Sequence, residues 1–396
     1  MTGMTRQSGE GDSTLSVHGG EEREKLDGAL THPIAQTSTF VFADLDEFEA
    51  LKAGERSGFE YGRYGNPTVR AAERKLAALD HADEALLFSS GMSAIFTVLM
   101  AMLRSGQHLI AMEDCYRRTV QLCDVLAKFG IESSFVRPGD LGALEEAIRP
   151  NTRLVFTESP TNPHLRVVDL EKLVSLAREH RLKVLIDSTF ATPINQCPLD
   201  FGVDLVFHSA TKYLGGHNDL LAGSVCGSAS LISAIKDFRD IVGTMSDPHV
   251  SYLLIRGLKT LALRVGRQNQ TTTAIARFLE RHQKVKRVYY PGLSSHADHE
   301  VASRQMAGFG GVVSFEIDGD LDGVRAFVHA LEIPYLAPSL GGVETLVSHP
   351  ATVSYHDLSW EDRQSIGITD ELIRYSVGIE DSADLIADLG NALAAI

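Results

Sequence analysis

The chain is poor in cysteine: four residues in 396 (Cys115, Cys123, Cys197 and Cys226), none of them in a CxxC pair. That argues against a disulfide framework or a Cys-rich structural zinc site and points to a reducing compartment. Positive charge is also short, with 37 Lys and Arg against 52 Asp and Glu and a net charge of −15. A chain so acidic is a poor nonspecific binder of nucleic acid or of an anionic membrane, although a local basic pocket for a small anion stays open. Long apolar runs are missing. The most apolar helical stretch, Ala94 to Leu103, falls far short of the ~20 residues of a membrane span. The opening residues, MTGMTRQSGEGDST, lack the apolar stretch of a secretory signal, so the expected location is cytoplasmic.

Several chemical signatures are absent as well. There is no GxxxxGKS/T phosphate loop and no GxSxG nucleophile elbow, and the nearest GxGxxG candidate, GFGGVV, lacks its last glycine. His296 and His299 stand close together without an HExxH motif or clustered carboxylates. They read as a helix-surface pair, and no metal site is expected.

What is present is a folded chain, with 44% hydrophobic and 22% charged residues, too long for one simple core. The first ~30 residues carry few large apolar groups and cannot fold alone. The expected layout is an N-terminal arm over 1–60 lying on another subunit, an α/β domain over 61–250 and a smaller α+β domain over 251–396.

Strands are expected at ALLFSS, HLIAME, LVFTES, KVLIDS and DLVFHS. Their near-continuous hydrophobicity fits strands covered on both faces. Helical patterns lie between them, as at Leu170, Leu173, Val174 and Ala177 with Asp169 as N-cap. This alternation predicts a mostly parallel central sheet. After about residue 250 the pattern changes. A long helix is expected over 251–282, then strands at VVSFEI and LIRYSVGI, then an amphipathic helix from Ser382 to Ala394. In IRYSV the alternation puts Arg374 and Ser376 on one face.

Open parallel sheets bind ligands beyond the carboxyl ends of their strands. The polar residues there are Ser89 to Met92, Glu158 to Pro163, Asp187 to Thr189, and Ser209 to Lys212. An Asp and a Lys at strand ends suit pyridoxal phosphate, whose pyridinium nitrogen takes a carboxylate and whose aldehyde takes an amine. They equally suit an ordinary Asp–Lys salt bridge at the sheet rim. Ser90, Gly91 and Met92 open a helix, where backbone N–H groups attract an anion and Gly91 allows close approach. Ser209 and Thr211 can add hydroxyl donors.

The run HSATKYLGGHNDLLAG, from His208 to Gly223, resembles the pyridoxal-lysine signature of the Cys/Met-metabolism pyridoxal phosphate enzymes. Further blocks agree in order: YGRYGNPT, SSGMSAI, ESPTNP, DSTFATP, SLGGVETLVSHP and IRYSVGIED. DCYRRT and SYHDLSWEDRQSIGI are most similar to the plant-type cystathionine γ-synthase branch. The resemblance implies a fold type I architecture, aspartate aminotransferase-like, in a dimer that pairs into a tetramer. It implies that Lys212 carries the cofactor, Asp187 pairs with the ring nitrogen, and Tyr116 stacks on the ring. Gly91, Met92, Ser209 and Thr211 would hold the phosphate, with Tyr61 and Arg63 reaching the neighbouring subunit's phosphate. Arg374 would grip the substrate α-carboxylate, helped by Asn162 and Ser339. The implied reaction is γ-replacement on an O-activated homoserine by a thiol such as cysteine. The alternative is γ-elimination, or γ-substitution of another amino acid. The chain departs from the family pattern at Gly62, Ser188, Pro338 and Thr345, none of which belongs to the implied cofactor machinery; those near the substrate entrance bear on which substrate is taken.

Overall fold

Strands form where the chain runs continuously apolar. The computed structural model describes residues 11–396, so the first ten residues of the expected arm lie outside the described residues. The larger sheet has seven strands: β1 (Glu84–Phe88), β2 (His108–Met112), β3 (Glu132–Val136), β4 (Thr152–Glu158), β5 (Lys183–Asp187), β6 (Leu205–His208) and β7 (Gly223–Gly227). Their order is β1-β7-β6-β5-β4-β2-β3. All neighbours are parallel except β7, which runs antiparallel to both β1 and β6.

Five of these strands sit at the expected apolar runs; β3 and β7 do not. β3, ESSFV, is an edge strand that is largely exposed and polar. β7, GSVCG, is fully buried but begins and ends in glycine, a composition that weakens any strand signal. Gly223 is there for space: a Cβ on it would stand 2.2 Å from the Ser90 carbonyl oxygen.

The helices that serve the site are capped by their own sequence. α1 (Pro67–Leu79) has Pro at its first position and an Asn66 side chain accepting from the Thr68 N–H. α2 (Gly91–Met102) starts at a capping box in which Ser90 and Ser93 bond reciprocally. α3 (Arg117–Ala127) follows Tyr116, and α4 (Leu170–Glu179) is capped by Asp169, which accepts from the Lys172 N–H at 3.2 Å. Leu170, Leu173, Val174 and Ala177 are all buried, as their spacing requires. α5 (Ala229–Val242) ends in Gly243, at φ 79°.

The single helix expected over 251–282 is two helices, α6 (Pro248–Leu258) and α7 (Leu261–Glu280). The break has a packing reason. Gly257 lies so close to the loop after Lys212 that a Cβ would stand 2.3 Å from the Gly215 carbonyl oxygen. Across the break Arg264 from α7 donates to the carbonyls of Gly257 and Tyr213, at 2.8 and 2.7 Å.

The smaller sheet comprises β8 (Val285–Tyr289), β9 (Val312–Ile317), β10 (Tyr335–Leu336), β11 (Leu346–Ser348) and β12 (Leu372–Ser376). Its order is β10-β11-β12-β9-β8, antiparallel except for β10 with β11. The last helix, α8 (Ser382–Ala394), buries Leu385, Leu389 and Leu393. One apolar cluster runs from Leu76 and Leu87 through Tyr213 and Leu254 to Phe315 and Tyr375, so both sheets share a core.

His296 and His299 are not a helix-surface pair. His296 lies in the turn before helix His299–Gln305, is buried, and takes the Asp298 N–H on its Nδ1; His299 bonds to the Pro291 carbonyl oxygen. The backbone at that turn needed the imidazole as a local acceptor, which spacing alone does not reveal.

Candidate active site

The carboxyl ends of β4, β5 and β6 bring Glu158, Asp187 and His208 side by side, because Glu158 is the register partner of Asp187 and Phe207 pairs with it on the other side. Asp187 Oδ1 accepts from the Thr189 N–H at 3.0 Å and the Thr189 hydroxyl at 2.5 Å. The Ser209 N–H donates to that Thr189 oxygen at 2.8 Å. Asp187 and Lys212 form no ion pair, so the rim salt bridge is not what these residues make. Burial pushes the Asp187 carboxyl up, against the Thr189 donors and the His208 charge, which pull it down.

Beside Asp187 lies the helix start. The capping box uses the Ser90 and Ser93 N–H groups, leaving those of Gly91 and Met92 at the mouth of α2. A Cβ on Gly91 would press on Ser209, 3.2 Å from its Cβ, so the chain meets the Ser209 hydroxyl at this point. Thr211 Oγ1 takes the Ala222 N–H and gives its proton to the Ala222 carbonyl, which folds the 211–222 loop back on itself.

On the other side of the site, Lys212 Nζ donates to Ser339 Oγ at 2.6 Å. Ser339 is held at φ 101°, a left-handed conformation uncommon for a residue with a Cβ. Its carbonyl accepts from Arg374, at 2.9 Å, and a second Arg374 nitrogen donates to Asn162 Oδ1 at 3.0 Å. Arg374 Nε is buried without a partner among the described residues. Ser376, two residues on, accepts from the Gly341 N–H, so Arg374 and Ser376 do share the face toward the 339–341 loop. Burial, and then the Arg374 charge, bring the Lys212 amine down to about 8. Burial also lowers Arg374 itself.

Tyr116 is linked from below: its N–H donates to Glu158 Oε2 at 2.7 Å, while its side chain is 42% exposed. Glu158 is buried, and desolvation, then the neighbouring Asp187, push its carboxyl well up. Asp114 is pushed up to about 7 by burial. These acids, with Thr189 and the buried His208–Asp80 pair, were given no role from sequence. Glu158 and His208 stood inside motifs that could have flagged them; Asp80, at the end of α1, carried no signal.

Tyr61 and Arg63 are not among these contacts. Arg63 donates to the Asp240 carbonyl at the end of α5 and lies over the Tyr64 ring, 4.8 Å from its centroid. No carboxylate pairs with it among the described residues.

The residues fit pyridoxal phosphate on three counts. Asp187 is a half-buried acid with no ion pair among the described residues, the mouth of α2 presents free N–H groups beside a hydroxyl, and Lys212 is an amine poised near neutrality. A mostly parallel sheet with a lysine, an aspartate and an anion cradle at its strand ends defines a fold type I pyridoxal phosphate enzyme. Residues 13–394 match the family described as Cys/Met metabolism PLP-dependent enzyme, and the chain belongs to that family.

Its relatives include cystathionine gamma-synthase 1, chloroplastic, of Nicotiana tabacum. That protein is 49% identical over 389 residues, covering 97% of this chain and 72% of the tobacco protein. The L-methionine gamma-lyase of Fusobacterium nucleatum subsp. polymorphum is 41% identical, covering 97% of this chain and 98% of the lyase. Among solved structures, cystathionine gamma synthase from Xanthomonas oryzae pv. oryzae, in complex with aminoacrylate and cysteine, superposes with a TM-score of 0.92. It is 37% identical over 97% of both chains.

Proposed function

We propose that the chain catalyses γ-replacement on an O-activated homoserine, with a thiol such as cysteine as the incoming nucleophile. The observation that carries the chemistry is the chain of contacts Lys212–Ser339–Arg374–Asn162, which sets a base beside a carboxylate-binding guanidinium. The choice of replacement rests on the 49% identity to a protein named cystathionine gamma-synthase. The runner-up, γ-elimination, has the methionine gamma-lyase relative at 41% behind it.

In this reading Asp187 holds the cofactor's ring nitrogen, Gly91, Met92, Ser209 and Thr211 hold its phosphate, Tyr116 covers its ring, and Lys212 carries it. Pyridoxal phosphate, when bound, supplies an electron sink for bonds at the substrate's α-carbon. Arg374 fixes the α-carboxylate with the planar fork that a lysine lacks. Asn162 and Ser339 hold that fork in place, through Oδ1 and the backbone carbonyl. Lys212, its amine brought down to about 8, takes the proton from Cα and then assists at Cβ. Ser339 Oγ, 2.6 Å from Nζ, aims the amine between these two jobs. The γ substituent then leaves and the thiol takes its place.

The test is product analysis by mass spectrometry with O-succinyl-, O-acetyl- and O-phosphohomoserine, each with and without cysteine. A thioether formed only when cysteine is present supports the proposal. An oxo acid and ammonia, formed equally without thiol, would replace it with γ-elimination.

Tyr61 and Arg63 are proposed to serve the partner subunit's site in a dimer that pairs into a tetramer. Two features support this. Arg63 has no acidic partner of its own among the described residues, and the 26–45 segment exposes Leu26, Leu30, Val41 and Leu45, the valine at 94%. Such apolar exposure calls for a covering surface. Mixing inactive Arg63→Ala with inactive Lys212→Ala should restore activity, because some sites then combine intact Lys212 from one chain with intact Arg63 from the other. Mixed dimers without recovery would place Arg63 in its own chain's site. A cytoplasmic location is part of the same proposal. No helix among the described residues is long and apolar enough to cross a membrane. The tobacco relative's chloroplast naming points the other way, and cell fractionation decides.

A further inference from the structure

We propose that His208 is a positioning residue for the cofactor end of the site: held as an imidazolium by Asp80, it supplies the positive charge that keeps the Asp187 carboxylate ionised. The inference rests on the proposed role of Asp187 and adds to it the machinery behind that carboxylate.

The geometry is that of a buried ion pair. His208 Nε2 lies 2.9 and 3.0 Å from the two Asp80 oxygens. The side chains are 1% and 0% exposed. A carboxylate that deep costs several kcal/mol unless a cation and hydrogen bonds compensate it. The other charged and titratable groups nearby do not provide one. Cys226, on β7, faces Asp80 with a thiol that burial, and then Asp80, push well up, leaving it a neutral donor. Cys197 and Glu73 also lie near Cys226. Glu73 already has its own cation, Arg239, at 2.8 Å.

The second ring nitrogen supports the same charge state. Nδ1 is buried, with no donor to satisfy it as an acceptor among the described residues, and the Ser188 backbone beside it favours a proton. Burial alone pushes the imidazole down, but the Asp80 charge and hydrogen bond, with Asp187 adding, carry it above its ordinary value. In the other direction, the two Thr189 donors, and then the His208 charge, pull Asp187 down against burial.

The row across the sheet ends is therefore asymmetric. On the β4 side Asp187 meets Glu158, a carboxyl that burial, and then the Asp187 charge, push well up. On the β6 side its register partner is Phe207, and His208, the next residue, acts on it by charge with Asp80 behind. Asp80, His208 and Asp187 together carry one net negative charge, which a protonated ring nitrogen on Asp187 neutralises. Removing the Asp80 charge takes the reason for the His208 proton away, and Asp187 then loses its nearest positive neighbour.

The test is 15N NMR of the holoenzyme with labelled histidine, the His208 signals being those lost in His208→Gln, together with cofactor dissociation constants. In the wild type both His208 nitrogens should carry protons at neutral pH. In Asp80→Asn one should be bare, and the cofactor should bind at least about tenfold more weakly, the lower end of what one charged hydrogen bond contributes. A purely structural pair would lower thermal stability in Asp80→Asn and leave cofactor affinity alone, which overturns the proposal. A single-proton His208 in the wild type also overturns it, and that reading stands even if Asp80→Asn does not fold. Normal cofactor affinity in Asp187→Ala would instead sink the role assigned to Asp187, leaving the measured charge of His208 intact.

Discussion

The amine of Lys212 should titrate far below an ordinary lysine, and the structure gives the size of the effect. Burial, and secondly the Arg374 charge, bring it from 10.5 to about 8. At pH 8 half of the Lys212 amines are then neutral, against roughly one in three hundred for a lysine with an ordinary pKa near ~10.5. The nucleophilic free base is thus on the order of a hundredfold enriched at that pH. The assay is competitive labelling of the cofactor-free protein by a small acylating reagent across about pH 6 to 11, read on the Lys212 peptide by mass spectrometry. Labelling should rise with pH through about 8 and then level off. Arg374→Met should move the midpoint upward, toward the ordinary value, by less than half of the total displacement, since burial is the larger cause. A wild-type midpoint near ~10 would refute the reasoning, because it would mean that the buried amine is solvated after all.

Glu158→Gln should keep cofactor affinity and most activity, since the amide preserves an acceptor for the Tyr116 N–H and burial already works against the charge it removes. Glu158→Ala should lose about 1–3 kcal/mol of stability by orphaning that N–H; a large loss of activity in the Gln variant would show that the negative charge is needed. Arg374→Lys should lower kcat/KM by about 10- to 100-fold through one lost charged hydrogen bond, with the cofactor's visible spectrum unchanged. A changed spectrum with unchanged kcat/KM would assign Arg374 to the cofactor instead. Gly223→Ala should lower Tm and weaken cofactor binding together, because its Cβ would drive into the Ser90 carbonyl and the Gly91 nitrogen at the mouth of α2. A normal Tm with normal binding would mean that this junction is looser than its distances indicate.

The sequence by itself determined the parts of this protein that repeat locally. The apolar runs of β1, β2, β4, β5 and β6 report burial on both faces, and Asp169 and Ser90 report helix starts, because caps and periodicity act within a few residues. The alternation in IRYSV placed Arg374 and Ser376 together for the same reason. The motif blocks named the residues around Lys212 as a set. Only the tertiary structure decided what pairs with what. Lys212 turned to Ser339, 127 residues away, while Asp187 took Thr189, a choice of partner that no spacing encodes. β7 was hidden because glycines let it pass close to Ser90, a demand set by a neighbour 133 residues away in the chain. The helix break at Lys259 and Thr260 answers to Gly215 and Arg264, again from outside the segment. Asp80 met His208 across 128 residues, so the charge behind Asp187 exists only once the sheet and α1 have packed. Buried electrostatics depend on which groups share a dry space, and that is a property of the fold, not of any stretch of sequence.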